Sequence, residues 1–216
     1  MINWDISPII HARGKKLMSE PVFVRIDGAI EESMVRTFRE QMDYAANTGQ
    51  PVIPVIINSP GGDVWTMNAM IGIIDSIRRR AHVATIVEGK ACSAGAWIFA
   101  AGDTRFVGLR SVVMLHEDYA VMAGKASDLK HEVKEIVRGD EEAMLWMDER
   151  CKKRRGYFRS LFLKQANADM WLTPKDCIKH GLAHYVGSPE FAITVSVEYQ
   201  FGVPEVPKAK RKKGSK

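Results

Sequence analysis

Cysteine is scarce in this chain of 216 residues: Cys92, Cys151 and Cys177 are all there is. The three lack metal-ligand spacing and cannot all pair. That argues against a disulfide framework and points to a reducing compartment. Aromatic residues are few, at 8%. No apolar run approaches the roughly 18–20 residues needed to span a bilayer, and no apolar leader of signal-peptide type opens the chain. A cytoplasmic setting, in a bacterium or in a host cell, is therefore expected, with no membrane partner. No Gly-x-x-x-x-Gly-Lys-Ser/Thr loop is present to cradle nucleotide phosphates, so any use of ATP falls to a separate protein. There is no internal repeat. An excess of one charge is also missing from most of the chain. Lys208, Lys210, Arg211, Lys212, Lys213 and Lys216 against Glu205 account for the whole net charge of +5. The basic character belongs to a Pro/Lys-rich tail expected to be disordered, and nucleic acid is not an expected partner except through it.

What is present is an ordinary apolar content of 46%, enough for one sizeable core. Strand and helix patterns alternate. Val22 to Asp27 reads as a strand and Glu31 to Thr48 as a helix with Met34, Phe38, Met42 and Ala45 on one face. Strand–helix pairs follow in Val52–Arg80, with the strand broken by Pro54, and in His82–Ala101. Such alternation predicts a parallel sheet with helices packed on it. Phe106 to Leu115 adds two short strands around a turn. Ala126 to Lys164 reads as a long helical region with weak points at Gly139 and Gly156. Its apolar stripe (Leu129, Val133, Ile136, Ala143, Met147, Cys151) suits an oligomer contact, with burial in the chain's own core as the competing reading. Phe191 to Tyr199 alternates like an edge strand. The clusters Arg78-Arg79-Arg80 and Lys152-Lys153-Arg154-Arg155 are expected to face solvent or to pair with acids such as Glu141, Glu142 and Glu149.

Four segments carry chemistry. Gly89-Lys90-Ala91-Cys92-Ser93-Ala94-Gly95-Ala96 follows an apolar run and precedes Trp97-Ile98-Phe99-Ala100-Ala101. A serine at a tight strand-to-helix turn offers its hydroxyl beside the N–H groups of a helix start, where an oxyanion could form. Taken alone, such small residues also read as close helix–sheet packing. Asn58-Ser59-Pro60-Gly61-Gly62-Asp63 ends a second apolar run, and its paired glycines permit close approach of a ligand or an ordinary turn. Ser111-Val112-Val113-Met114-Leu115-His116 delivers a histidine at a strand end, suited to general base–acid work. Asp169 precedes Met170-Trp171-Leu172-Thr173-Pro174, in which Thr173 reads as a helix cap, Pro174 as the first helical residue and Gly181 as the stop. Asp169 could orient His116, with Asp118 and Asp176 as rivals. Cys92 would be the fallback nucleophile.

In this order the four segments resemble the ClpP family, the proteolytic subunits of Clp proteases, from about Val22 to Val186. The resemblance implies an α/β fold of the ClpP/crotonase-like spiral type with a projecting helical handle at about 126–164. It further implies a serine endopeptidase acting on polypeptides within a homo-oligomeric ring, without metal or organic cofactor. Carried onto the matching positions, it makes Ser93 the nucleophile, His116 the base and then acid, and Asp169 its orienter. The N–H groups of Gly62 and Ala94 become the oxyanion hole. The domain layout expected is an N-terminal segment (1–20), a peptidase domain (21–200) and a basic tail (201–216). Two departures stand out. Glu117-Asp118 follows the histidine where the family usually has Gln-Pro, and the segment that docks a AAA+ unfoldase is not recognisable before Val22. These leave room for a phage capsid (prohead) maturation protease of the same fold. A crotonase-like acyl-CoA enzyme is the alternative of another class.

Overall fold

The structure is a computed structural model and describes residues 21–164 and 169–191. The expected N-terminal segment, the basic tail and the edge strand beyond Phe191 lie outside the described residues. In chain order the elements are β1 (Val24–Asp27), α1 (Ser33–Asn47), β2 (Val52–Ser59), α2 (Val64–Ile77), β3 (His82–Cys92), α3 (Ala94–Ala101), β4 (Thr104–Val107) and β5 (Val112–Leu115). There follow α4 (Ala126–Arg150), α5 (Tyr157–Lys164), β6 (Met170–Leu172), α6 (Pro174–His180) and β7 (Tyr185–Val186). β1, β2, β3, β4 and β7 pair in that order, all parallel. This is the expected α/β fold of strand–helix repeats.

The near-continuous apolar stretches of β2 and β3 suit strands covered on both faces. α1 buries Phe38, Met42 and Ala45, and α2 buries Met67, Met70, Ile73, Ile74 and Ile77. Every residue of α3 is buried. Pro54 does not break β2. It pairs with Ala84 on β3, while β1 begins its pairing one residue later, at Val55. The proline thus sits where β2 has no ladder to β1, a position at which its missing N–H costs little.

β3 runs further than its apolar segment suggests, through Gly89-Lys90-Ala91 up to the serine. Along one edge it changes partners: Ala84 to Val87 pair with β4, and Lys90 to Cys92 pair with β5. The fork opens at Gly89, whose φ of 91° favours glycine. The buried hydroxyl of Ser111 plugs it, accepting from the Gly89 N–H at 3.0 Å and donating to the Val87 carbonyl at 2.9 Å. β5 then pairs antiparallel with β6.

The helical region divides at Gly156 and not at Gly139. α4 passes through Gly139 without interruption, since one interior glycine costs only about 1 kcal/mol relative to alanine. The carboxylate of buried Asp148 starts α5 by accepting from the N–H groups of Gly156 (2.6 Å), Tyr157 (3.2 Å) and Phe158 (2.9 Å). The region divides between core and surface. Met144, Met147, Cys151, Phe158 and Phe162 enter the core, whereas no residue of α4 before Met144 is buried and Val133 and Val137 stand exposed. The first half of α4 therefore projects. The arginine cluster pairs with acids, though with other acids than those named: Arg78 is half-buried and binds Asp75 and Asp103, and Arg80 reaches Asp43. Among the described residues no helix is long and apolar enough to cross a membrane.

Candidate active site

Ser93 occupies the single residue between β3 and α3. Its φ of 50° and ψ of −125° make it one of two non-glycine residues with positive φ among those described. Such a conformation costs of order 1–3 kcal/mol and persists only where the surroundings impose it. Here the Ser93 N–H donates to the Met114 carbonyl at 2.8 Å, and its carbonyl accepts from Ala96 at 2.8 Å. From Ala91 to Gly102 every residue is buried except Ser93. The strained turn presents one side chain outward from an otherwise sealed segment.

Gly61 and Gly62 pass directly beside it. A Cβ on Gly61 would lie 2.6 Å from the Ser93 Cβ and 2.7 Å from the Cys92 carbonyl, so only glycine fits. The buried Ser59 hydroxyl accepts from the Gly61 N–H at 3.0 Å and shapes the turn. Gly62 lies against Ile30: the Ile30 N–H donates to the Gly61 carbonyl and the Asp63 N–H to the Ile30 carbonyl, each at 2.9 Å. Those bonds use Gly62's neighbours. The N–H groups of Gly62 and Ala94 are left without an acceptor among the described residues. Asp63 then caps α2, accepting from the Thr66 N–H at 2.7 Å. Ser59, Ile30 and the Met114 carbonyl are supporting parts that sequence reasoning missed. Ser59 and Met114 stood in quoted segments without a role of their own, and nothing marked Ile30.

His116 follows β5; the β3–β5 register, continued by one residue, sets Ser93 opposite Leu115, one residue before His116. The β5–β6 register pairs Val113 with Leu172, Met114 with Trp171 and Leu115 with Met170. Continued by one residue, it sets His116 opposite Asp169. The expected three residues thus lie at the ends of three neighbouring strands. Hydrogen bonds do not join them: Nδ1 of His116 meets the Glu117 carbonyl instead, and Asp169 is exposed.

The rivals are placed elsewhere. Asp176 closes a capping box with Thr173 at the start of α6, and its carboxyl is held below the ordinary value by the Thr173 hydroxyl and N–H. Asp118 turns toward α4, where its N–H donates to Asp140 at 3.2 Å, and burial raises its carboxyl against the opposing pull of His116. Glu117 binds Arg159 at 2.5 Å. Cys92, the expected fallback nucleophile, is buried, and burial pushes its thiol up and away from the reactive thiolate. Among the described residues no group of three or more His, Cys, Asp or Glu could hold a metal ion.

The Clp protease family model matches residues 13–190 of this chain. The chain belongs to the Clp protease family. Among curated relatives of this family, the ATP-dependent Clp protease proteolytic subunit 2 of Pseudomonas aeruginosa is 28% identical over 189 residues, covering 85% of this chain and 91% of that protein. The protein of the same description from Gluconobacter oxydans is 29% identical over 185 residues, covering 83% and 79% respectively. Clp family membership makes this chain a peptidase by descent, and the site just described lies wholly inside the matched span.

Proposed function

We propose that this protein is a serine endopeptidase that hydrolyses polypeptides by acyl transfer. His116 takes the Ser93 proton as Oγ attacks the scissile carbonyl. The N–H groups of Gly62 and Ala94 receive the developing oxyanion, and His116 returns its proton to the leaving amine. Water, activated by the same imidazole, then releases the acyl group. Asp169 holds the imidazole in the tautomer that accepts at Nε2. The observation that carries this reading is the Ser93 turn: strained, outward-facing and beside two N–H groups with no acceptor among the described residues. Closure of the set requires His116 to leave the Glu117 carbonyl for Asp169.

The relatives are named as subunits of an ATP-dependent protease. By that likeness the chain works as a homo-oligomer, with the projecting half of α4 as a subunit contact and a separate AAA+ ATPase as a possible partner. The test of the chemistry is labelling with a fluorophosphonate probe and peptide mapping, on wild type and Ser93→Ala. An adduct at Ser93, absent from the variant, is the expected result. No adduct on assembled wild-type protein, under conditions that label a known serine hydrolase, overturns the assignment.

A further inference from the structure

One of the two most deeply buried charged side chains belongs to no motif. Arg105, on β4, is 3% exposed and forms no ion pair among the described residues. Its guanidinium is satisfied by carbonyls alone. Nε donates to Leu182 at 2.7 Å, Nη1 to Gly102 at 3.0 Å, and Nη2 to Arg150 at 3.1 Å and Gly181 at 2.9 Å. Each acceptor belongs to a helix C-terminus. Gly102 is the C-cap of α3, Arg150 the last residue of α4, and Gly181 the C-cap of α6, with Leu182 next to it. Helix C-termini carry unsatisfied carbonyls and partial negative charge, so a planar five-donor cation matches three such ends at once.

The end of α3 receives more than this one cation. Arg150 donates from Nε to Ala100 at 3.0 Å, and from Nη2 to Ala101 at 2.9 Å and Gly102 at 2.6 Å. Arg78 reaches Ala101 as well and is tied to Asp103 at 2.8 Å. Burial is costly here: it lowers the Arg105 guanidinium to about 10 and shifts Arg150 in the same direction. Two desolvated cations are an expensive way to fill a core, and apolar side chains of similar size often serve stability as well or better. What they supply is geometry. α3 begins at Ser93, α4 carries the projecting segment, and α6 follows the β6 strand that begins beside Asp169.

We propose that Arg105, seconded by Arg150, is a positioning residue for Ser93: it fixes the far end of α3 to the ends of α4 and α6. α3 is eight residues long, a rod of about 12 Å. A shift at its clamped end is carried to Ser93 and to the Ala94 N–H with little loss. The inference rests on Ser93 being the nucleophile.

The test compares wild type, Arg105→Lys and Met42→Ala, the last a core truncation in α1 away from the three helix ends. Arg105→Lys keeps the charge and loses the fork. All are assayed well below their melting temperatures for fluorophosphonate labelling at Ser93 and for kcat and KM on a short fluorogenic peptide. The expected result for Arg105→Lys is a fall in labelling rate and kcat of about tenfold to a hundredfold, with KM little changed. Met42→Ala, at a comparable loss of melting temperature, keeps wild-type kcat. Wild-type kcat in Arg105→Lys, or a loss no greater than that of Met42→Ala, overturns this inference alone. No labelling of wild type overturns the nucleophile assignment and this inference with it. If Arg105→Lys does not fold, Arg150→Lys takes its place, with the same pattern expected at smaller size and unchanged kcat counting against the proposal.

Discussion

The nucleophile and the base leave neighbouring strands, yet the chain treats them differently. Ser93 passes from β3 straight into a buried helix, is held by the Met114 carbonyl, and has Gly61 packed against its Cβ. His116 passes from β5 into a stretch without regular structure that reaches Lys125, where Tyr119 and Val121 are 84% and 83% exposed. That stretch is tied down by the Glu117–Arg159 pair and by the Asp118 contact to Asp140. One tie ends on the projecting half of α4, at Asp140, and the other on α5, at Arg159. The geometry of the nucleophile is thus intrinsic to the domain, whereas that of the base depends on a segment whose neighbours lie at the surface. Anything that grips α4 acts on His116 before it acts on Ser93.

The largest effect expected is at the rigid side. Ser93→Ala should lower peptide hydrolysis by on the order of a millionfold, with circular dichroism and melting unchanged; activity near wild type would remove Ser93 from the chemistry. Next comes the identity of the acid. Asp169→Asn should lower kcat by about ten-thousandfold, and Asp118→Asn far less. The reverse order in the same assay would assign the orienting role to the exposed stretch after His116 and undo the contrast.

Glycine substitutions sharpen the comparison in stability. A Cβ on Gly62 would meet the Ile30 carbonyl oxygen at 2.1 Å, whereas one on Gly124, in the stretch after His116, comes no nearer than 4.0 Å to the Leu129 side chain. Gly62→Ala should therefore cost about 1–3 kcal/mol in denaturant unfolding. Gly124→Ala should stay within about 0.5 kcal/mol.

The smallest effect is a difference of sign with pH. Beside α2, the Thr66 hydroxyl and N–H hold the Asp63 carboxyl below its ordinary value. A carboxyl lowered on folding contributes stability above its unfolded pKa and loses it as pH falls through the folded value. Asp63→Ala should cost about 1 kcal/mol at neutral pH, and the gap should narrow in acid. On the base side, burial and the neighbouring Asp118 raise the Asp140 carboxyl. A raised carboxyl favours folding below its unfolded pKa and loses that contribution as pH climbs through the raised value. Asp140→Asn should thus raise the melting temperature near neutrality, and lose the advantage as melts are repeated down through the carboxylate range. Equal signs for the two would mean the sides are held alike.

Much of this was legible in residues whose chemistry leaves few choices. Thr173, Pro174 and Gly181 bound α6 as read, and the small residues around Ser93 mark the turn because nothing larger fits. Non-local facts were not legible. The pairing that sets Asp169 opposite His116 joins strands separated by two helices, and only the register reveals it. The continuation of β3 past Val87 is masked by Glu88-Gly89-Lys90, which read as loop residues but lie at a fork where side chains reach solvent. Gly139 looked like a break because the helix formers around it outweigh its cost only in sum. Nothing in the sequence marked Arg105, since the three helix ends that supply its four acceptors come from separate parts of the chain.

The strand that forks also works as a ruler. β3 alternates its side chains on either side of an irregularity at Gly89, so the count of residues from His82 to Ser93 decides which way the serine points. Inserting or deleting one residue in that interval would turn Ser93 inward and Cys92 or Ala94 outward, while the sheet pairing upstream stayed whole. Length variation among descendants of this chain should therefore be absent between Val83 and Ser93. It should collect in the stretch after His116, where an added residue changes only the reach of a tether.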